Sequence, residues 1–436
     1  MINNYSSVLE KIFSLCKRRG FFFQSYDIYG GLNGIYDKGH LGFLLEKKIV
    51  NYWINQIKNC GYPIIHYDGS LIGSKDAWKA SGHVDGFHDP LIDCRSCKVR
   101  YRIDEINLDK NCVNCGNKNW GEIKQFNMMF STNLGASEDS SQIAYLRPET
   151  AQSIFVSFKN IINTSRVKIP FGIIQIGKAF RNEITPRQFL FRMREFSQME
   201  MEFFVHPKEA LKFFEFWKEE RINFYKNLGF ENNFKARDYE KSELAHYSSA
   251  TCDIEFNFPF GLKELEGIAY RTDFDLKSHS EASKKDLNLF CEETKSSYIP
   301  HVVECSVGVE RIILAILCNF YFEEKINDEI RIVLKFPFFI SPIQIAVFPL
   351  TKNEEELAKK IYKNLVKIGY ECQYDDSGSI GKRYRRQDEI GTPFCITVDS
   401  NSISNNTVTI RNRDTMNQEI INIEKIDNFF EINFKN

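Results

Sequence analysis

Net charge is what this chain has least of. Its 57 lysines and arginines face 58 aspartates and glutamates, which leaves a formal charge of −1. There is no global basic field, so any contact with nucleic acid has to come from local patches. There is also no apolar run long enough to cross a bilayer. The longest, Ile312 to Phe322, ends in Glu323 and Glu324. The first residues, MINNYSSVLEKIF, have no apolar run behind a basic start. No secretory signal is read there, and a cytoplasmic protein without membrane contact is expected. In that compartment the 12 cysteines should be mostly reduced. The glycine-rich turn at Gly30, Gly31 and Gly34 has neither the Gly-Lys-Ser/Thr of a phosphate loop nor the GxGxxG of a dinucleotide turn. No Ser-His-Asp or Cys-His arrangement offers a side-chain nucleophile. What remains is a globular composition, 43% hydrophobic and 26% charged, over 436 residues, enough for two or three domains.

The chemistry is concentrated between Phe180 and Phe204, FRNEITPRQFLFRMREFSQMEMEFF. Read as a strand, its second half puts residues two apart on one face. One face then carries Arg192, Arg194, Phe196, Gln198, Glu200 and Glu202, and the other Met193, Met199, Met201 and Phe203. The stretch from Phe171 alternates too, with Ile174, Ile176 and Phe180 against Gln175, Arg181 and Glu183. Ile184 to Leu190 contains Pro186 and reads as the long loop of a hairpin. One face should pack on a core. The other gathers arginines, carboxylates and a ring, a set that a merely solvated face explains poorly. Guanidinium forks suit phosphate, a ring suits a base, and carboxylates suit an ammonium or an exocyclic amine.

Further along, Cys94-x-x-Cys97 and Cys112-x-x-Cys115 have the spacing of one tetrahedral metal site. Four thiolates favour a structural Zn²⁺. Redox activity is the weaker reading, because thioredoxin-like CxxC motifs come singly. Tyr145 to Gln152, YLRPETAQ, reads as a short strand turning into a helix, with Pro148 and Glu149 in the first helical turn. Val303 to Cys318 reads as a strand that ends at a glycine and feeds a buried helix. Arg311 in the first turn of that helix opposes its dipole, a local cost that points to function. His206 to Phe234 reads as an amphipathic helix, and His246 as structural. A linker is expected at Lys335 to Ser341, followed by a small α/β unit. Its segment GSIGKRYRRQDEIG bears Lys382, Arg383, Arg385 and Arg386. That is either a nucleic-acid signal or a solvated helix.

The Phe180 to Phe204 stretch resembles motif 2 of class II aminoacyl-tRNA synthetases, in the form found in glycyl-tRNA synthetases. LRPETAQ, KELEGIAYRTDFDL at Lys263 to Leu276, and SGHVDGFHDP at Ser81 to Pro90 are similar to further segments of that family. Val303 to Cys318 resembles motif 3, and the glycine-rich turn with the helix after it resembles motif 1. Two departures stand out: His40 and Cys305 occupy positions where the family usually has proline. The resemblance implies an α+β fold. Residues 1–335 would be a class II antiparallel β-sheet catalytic domain flanked by helices. It would carry a zinc-ribbon-like insertion at 80–125 and a helical insertion at 206–250. Residues 336–436 would be an α/β anticodon-binding domain, and the protein a homodimer.

The same resemblance implies ATP, glycine and tRNA-Gly as partners, with Mg²⁺ accompanying ATP. Arg181 on the α-phosphate and Arg311 on the γ-phosphate would be the catalytic residues. Arg192 and Arg194 would reach the outer phosphates, Glu183 the adenine amine, and Phe196 the adenine face. Glu264 would act through Mg²⁺, and Asn182, Phe191, Glu195, Leu265, Gly308 and Glu310 would complete the ATP site. Glu149, Glu200 and Glu304 would surround the glycine ammonium and leave no room for a β-carbon. Arg271 would meet the carboxylate, with Arg102, Phe196, Gln198 and Ser306 alongside. The implied reaction makes glycyl-adenylate and moves the glycyl group to the 3′-terminal ribose of tRNA-Gly. The rivals are a class II synthetase for another small amino acid and a binding-only relative. The latter should have lost the ATP arginines, and Arg181, Glu183 and Arg311 are all present.

Overall fold

The computed structural model describes residues 3–103, 106–135, 143–245, 247–291 and 295–434; His246 lies outside them. Seven strands form the sheet that carries the site: β1 (Ile64–Tyr67), β2 (Phe171–Phe180), β3 (Glu195–Val205), β4 (Phe234–Asp238), β5 (Ala250–Phe258), β6 (Gly261–Thr272) and β7 (His301–Gly308). Their order is β4-β5-β6-β7-β3-β2-β1, antiparallel except for β1 beside β2. Six helices matter here: α1 (Asn3–Arg19), α2 (His40–Lys58), α3 (Ala151–Ser165), α4 (Ala210–Asn227), α5 (Phe274–Ser283) and α6 (Val309–Phe320). No helix among the described residues is long and apolar enough to cross a membrane.

The hairpin read from sequence is β2 with β3, in register from Phe171 opposite Phe204 to Phe180 opposite Glu195. Its alternation builds two cores. Ile174, Met199, Met201 and Phe203 sink into the main core with α6 and with Phe213 and Trp217 of α4. Each such side chain contributes about 1.5–3 kcal/mol through burial. On the opposite face Phe171, Ile173 and Phe204 pack under Ile154, Phe155 and Phe158 of α3. The polar members of that face, Gln175, Glu200 and Glu202, lie on the site side of this second core. Helix α6 is buried on every side from Ile312 to Leu317, which explains its unbroken apolar sequence.

Several expectations need correction. Residues 206–250 are not wholly helical. Helix α4 stops at Asn227, Gly229 turns at φ +88°, and Phe234–Asp238 becomes the edge strand β4, paired to β5. The segment at 335–341 is no loose linker: Phe336 and Ile340 are fully buried, and Arg413 donates to the Phe336 carbonyl at 2.9 Å. The two departures from family prolines are locally harmless. His40 is the first residue of α2, where a proline would fit because the N–H has no helical acceptor. Cys305 is buried in the middle of β7, opposite Met201 and Ile268.

The C-terminal unit has a five-stranded sheet of β8 (Ile345–Pro349), β9 (Cys372–Tyr374), β10 (Phe394–Val398), β11 (Thr407–Asn412) and β12 (Gln418–Asn422), ordered β9-β8-β10-β11-β12. It has its own apolar core, around Ile345, Ile361, Leu365, Ile396 and Phe430. Its basic segment forms the helix Ile380–Ile390. Arg383 there is buried against the carbonyls of Asp376 and Gly378, and Arg386 pairs with Asp375. Two of the four basic side chains are therefore spent inside the unit. Asp388 of the same helix accepts from Arg331 at 2.8 Å and Arg411 at 2.9 Å, a buried charge network that fixes the unit to the strand Glu329–Leu334.

Candidate active site

A cleft of about 590 Å³ opens on the polar face of the sheet. One end is built from guanidinium groups and rings. Arg181, just beyond β2, lies between two rings, 5.5 Å from the centre of Phe87 and 5.3 Å from that of Phe196. Its Nε donates to the Pro148 carbonyl at 3.1 Å, which fixes the plane of the fork. Arg192 stands 3.8 Å from Glu183. Burial pushes the Glu183 carboxyl up, against the pull of Arg192 and Arg181. Arg311 lies 4.6 Å over the Phe191 ring and donates to the Glu264 carboxylate at 3.1 Å. Leu265 and Gly308 line the wall here.

The other end is dominated by acids. Glu149 meets His83 at 3.2 Å and accepts from Gln152 at 3.1 Å. Burial works to raise the Glu149 carboxyl, but His83, Arg271 and Gln152 overcome it and hold it well below the usual range. Glu200 accepts from the Thr150 N–H at 2.8 Å, from Gln198 at 2.6 Å, from Ser306 at 2.9 Å and from the Thr150 hydroxyl. Burial, with Glu149 and Glu304 nearby, nonetheless pushes it up to about 8. Glu304 accepts from Arg271, and burial raises its carboxyl in spite of that partner. Arg102 pairs with Asp89 at the rim. The β3–β7 ladder sets this geometry, with Glu200 opposite Ser306 and Gln198 opposite Gly308.

Other candidates sit elsewhere. Arg194 is tied to the carbonyls of Glu183 and Asn33, at 2.8 and 3.0 Å, and Glu195 to Lys178 at 3.1 Å. Neither lines the cleft, and nor does Asn182, whose N–H donates to the Met128 carbonyl. Glu310 reaches its edge, but its carboxylate is held by Lys38 at 2.8 Å and by the Ser197 N–H at 2.7 Å. Glu149 is not in a first helical turn. Helix α3 begins at Ala151, so Glu149 belongs to the connection from the strand Ile143–Leu146 and owes its position to His83 and Gln152 rather than to a dipole.

Several groups at the site carry no signal in the sequence. Asp275 takes two hydrogen bonds from Arg271, four residues earlier, across the junction from β6 to α5. Tyr247 lies under the Arg271 guanidinium at 4.3 Å, and Tyr239 donates to Asp253 at 2.7 Å on the cleft wall. Burial, with Glu264 nearby, pushes Asp253 up to about 6. The segment SGHVDGFHDP, which carries no role on sequence alone, supplies His83 to Glu149, Phe87 to Arg181 and Asp89 to Arg102.

The four cysteines converge. The sulfurs of Cys94, Cys97, Cys112 and Cys115 all lie within 4.8 Å of one another, with Cys94 to Cys115 at 3.6 Å and Cys97 to Cys112 at 3.7 Å. A tetrahedral metal with bonds of ~2.3 Å would set sulfurs about 3.8 Å apart. The two knuckles are built alike. Lys98 and Gly116 are both left-handed, at φ +62° and +74°, and each returns its N–H at 2.8 Å to the carbonyl of the first cysteine of its pair.

The family model for the tRNA synthetase class II core domain (G, H, P, S and T) matches residues 133–320, and that for the anticodon binding domain matches 344–432. The chain is 48% identical to the glycine–tRNA ligases of Ruminiclostridium cellulolyticum and Acetivibrio thermocellus, and 47% identical to that of Borreliella burgdorferi. In each case the match covers 98% of both sequences. A solved structure of the RNA binding domain of a threonyl-tRNA synthetase from Cryptosporidium parvum shares the fold, with a TM-score of 0.70 over 96% of this chain and 97% of that one, at 18% identity.

Proposed function

The chain belongs to the glycine–tRNA ligase family, and from that premise we propose that it activates glycine with ATP and charges tRNA-Gly. The observation that carries the amino-acid assignment is the convergence of Glu149, Glu200 and Glu304 beside Arg271 at one end of the cleft. That set complements a small zwitterion: carboxylates for the ammonium, a guanidinium for the carboxylate. Crowding by three acids leaves little space at the α-carbon, and exclusion by filled space discriminates against a larger side chain.

The substrate carboxylate is the nucleophile. Its oxygen attacks the α-phosphorus of ATP, the bond to the bridging oxygen breaks, and pyrophosphate leaves. Arg181 would hold the α-phosphate and Arg311 the γ-phosphate, with Arg192 reaching the outer phosphates. Positioning and fixed positive charge supply the acceleration. The ring pair of Phe87 and Phe196 supports this role by keeping Arg181 in one orientation. Mg²⁺ neutralises phosphate charge when bound, and Glu264, on the cleft wall, would hold it with phosphate oxygens. A 3′-terminal ribose hydroxyl then attacks the glycyl carbonyl and AMP departs.

Residues 1–335 are read as the catalytic domain and 336–436 as the anticodon-binding domain. The Cys94, Cys97, Cys112, Cys115 cluster would hold structural Zn²⁺, since four thiolates leave no open position. A homodimer is supported by Ile28 and Tyr29, 90% and 84% exposed in the segment that resembles motif 1. A cytoplasmic location completes the reading. The direct test is charging of a tRNA-Gly transcript with labelled glycine. Glycyl ester on the 3′ end is expected, and its absence with active, Mg²⁺-supplied protein overturns the assignment.

A further inference from the structure

Along β3 the cleft face runs Phe196, Gln198, Glu200, Glu202, Phe204. The first three line the cleft, and Phe204 belongs to the apolar core under α3. Glu202 lies between them, beneath the cleft floor, with no exposed surface. Neither of its carboxyl oxygens receives a hydrogen bond from a donor among the described residues. An ionised carboxylate left so would be strongly disfavoured. Buried polar groups without partners are rare enough that each calls for a reason.

The neighbours supply one. Glu202 is the register partner of Glu304 across β3 and β7, on the same face, so their Cβ atoms are about 4.5–5.5 Å apart. The charged groups facing it are Glu200 from β3, Glu304 from β7, Arg271 from β6 and Asp275 from α5. Arg271 commits Nε and Nη2 to Asp275 and Nη1 to Glu304. Burial first, then Glu304, pushes the Glu202 carboxyl up. Two carboxyl groups this close cannot both ionise at low cost. Glu304 is the one that touches Arg271 and the cleft.

We propose that Glu202 is a positioning residue, a carboxylic acid that stays protonated and donates its O–H to the Glu304 carboxylate, fixing Glu304 for the substrate ammonium. This rests on the reading of Glu304 as an ammonium ligand. A protonated Glu202 also lowers the charge of the acid cluster, so that Glu304 can stay ionised before the amino acid arrives.

The test compares Glu202→Gln with Glu202→Leu in glycine-dependent ATP–pyrophosphate exchange, together with infrared difference spectra of the wild-type and Gln proteins. Glutamine keeps a neutral donor of the same reach and should hold kcat and the glycine KM within about threefold. Leucine removes the donor and should raise the glycine KM about tenfold or more, with the ATP KM unmoved. The wild-type spectrum at pH 7.5 should contain a carboxylic-acid carbonyl band that the Gln variant lacks. A Gln variant crippled in exchange, or a Leu variant as active as wild type, overturns the proposal. So does a carboxylic-acid band unchanged by Glu202→Gln. If the Leu variant does not fold, the Gln kinetics and the spectra decide. A wild-type protein without glycine-dependent exchange would sink the functional reading instead, and the spectra would still report the proton.

Discussion

Arg271 grips Asp275 through two hydrogen bonds, at 2.7 and 2.8 Å, and both side chains are buried. Asp275 also accepts from Gln152 at 2.9 Å, so it is fixed from a second side. The grip uses two nitrogens of the guanidinium and leaves the third on Glu304 at the cleft. Asp275→Asn should therefore loosen the group proposed to meet the glycine carboxylate. The expected result is a glycine KM raised about tenfold, the ATP KM unchanged, and stability lower by about 3 kcal/mol in urea unfolding. An unchanged glycine KM would mean that Arg271 has no part in binding the amino acid.

Arg181 offers a sharper kinetic contrast. Its fork is held between Phe87 and Phe196, and lysine keeps the charge but not the plane or the two-point contact. Arg181→Lys should lower kcat about 10²-fold and leave the melting temperature near wild type. A loss confined to KM would assign Arg181 to ground-state binding only.

Glu200 carries a pH signature. Its carboxyl is raised in the folded state to about 8, from a value near 4.5. A raised carboxyl contributes stability that is fully present below about 4.5 and is lost as pH rises through about 8. The ligand-free protein should thus melt at a lower temperature at pH 8.5 than at pH 6, and Glu200→Gln should flatten that slope. An ammonium group favours the ionised form, so glycine binding should release a proton and strengthen between pH 6.5 and 8.5. Calorimetry in buffers of different ionisation enthalpy reads that release, and its absence would place the ammonium elsewhere.

The cysteine cluster makes an independent claim. Purified protein should contain about one zinc per chain, and Cys97→Ser should lose it. The strand His88–Asp93 carries Asp89 on the cleft wall and ends at the residue before Cys94. Metal loss should therefore lower the melting temperature and weaken activity without abolishing it. Full zinc in the Ser variant would show that the four sulfurs do not form one site.

The hairpin, the convergence of the four cysteines and most residues lining the cleft were legible because each follows a short period or a fixed spacing. Met199, Met201 and Phe203 point to one core and Glu200 to the cleft for no deeper reason than alternation. What could not be read was set by contacts distant in sequence. Arg194 belongs to the same alternating set as Phe196 but is drawn out of the cleft by the carbonyl of Asn33. Arg383 looks like a nucleic-acid residue until the carbonyls of Asp376 and Gly378 enclose it. His83 reaches Glu149 from the short helix His83–Gly86, 66 positions earlier in the chain, and no local pattern announces that contact.

The measurement that bears most directly on the central claim is amino-acid-dependent ATP–pyrophosphate exchange, with glycine, alanine, serine and proline in parallel. Exchange with glycine alone is expected, because Glu149, Glu200 and Glu304 are proposed to fill the space that a β-carbon would need. Exchange with alanine or serine at a comparable kcat/KM would contradict the role given to the three acids. Folded, Mg²⁺-supplied protein that shows no exchange with any of the four would contradict the activity itself.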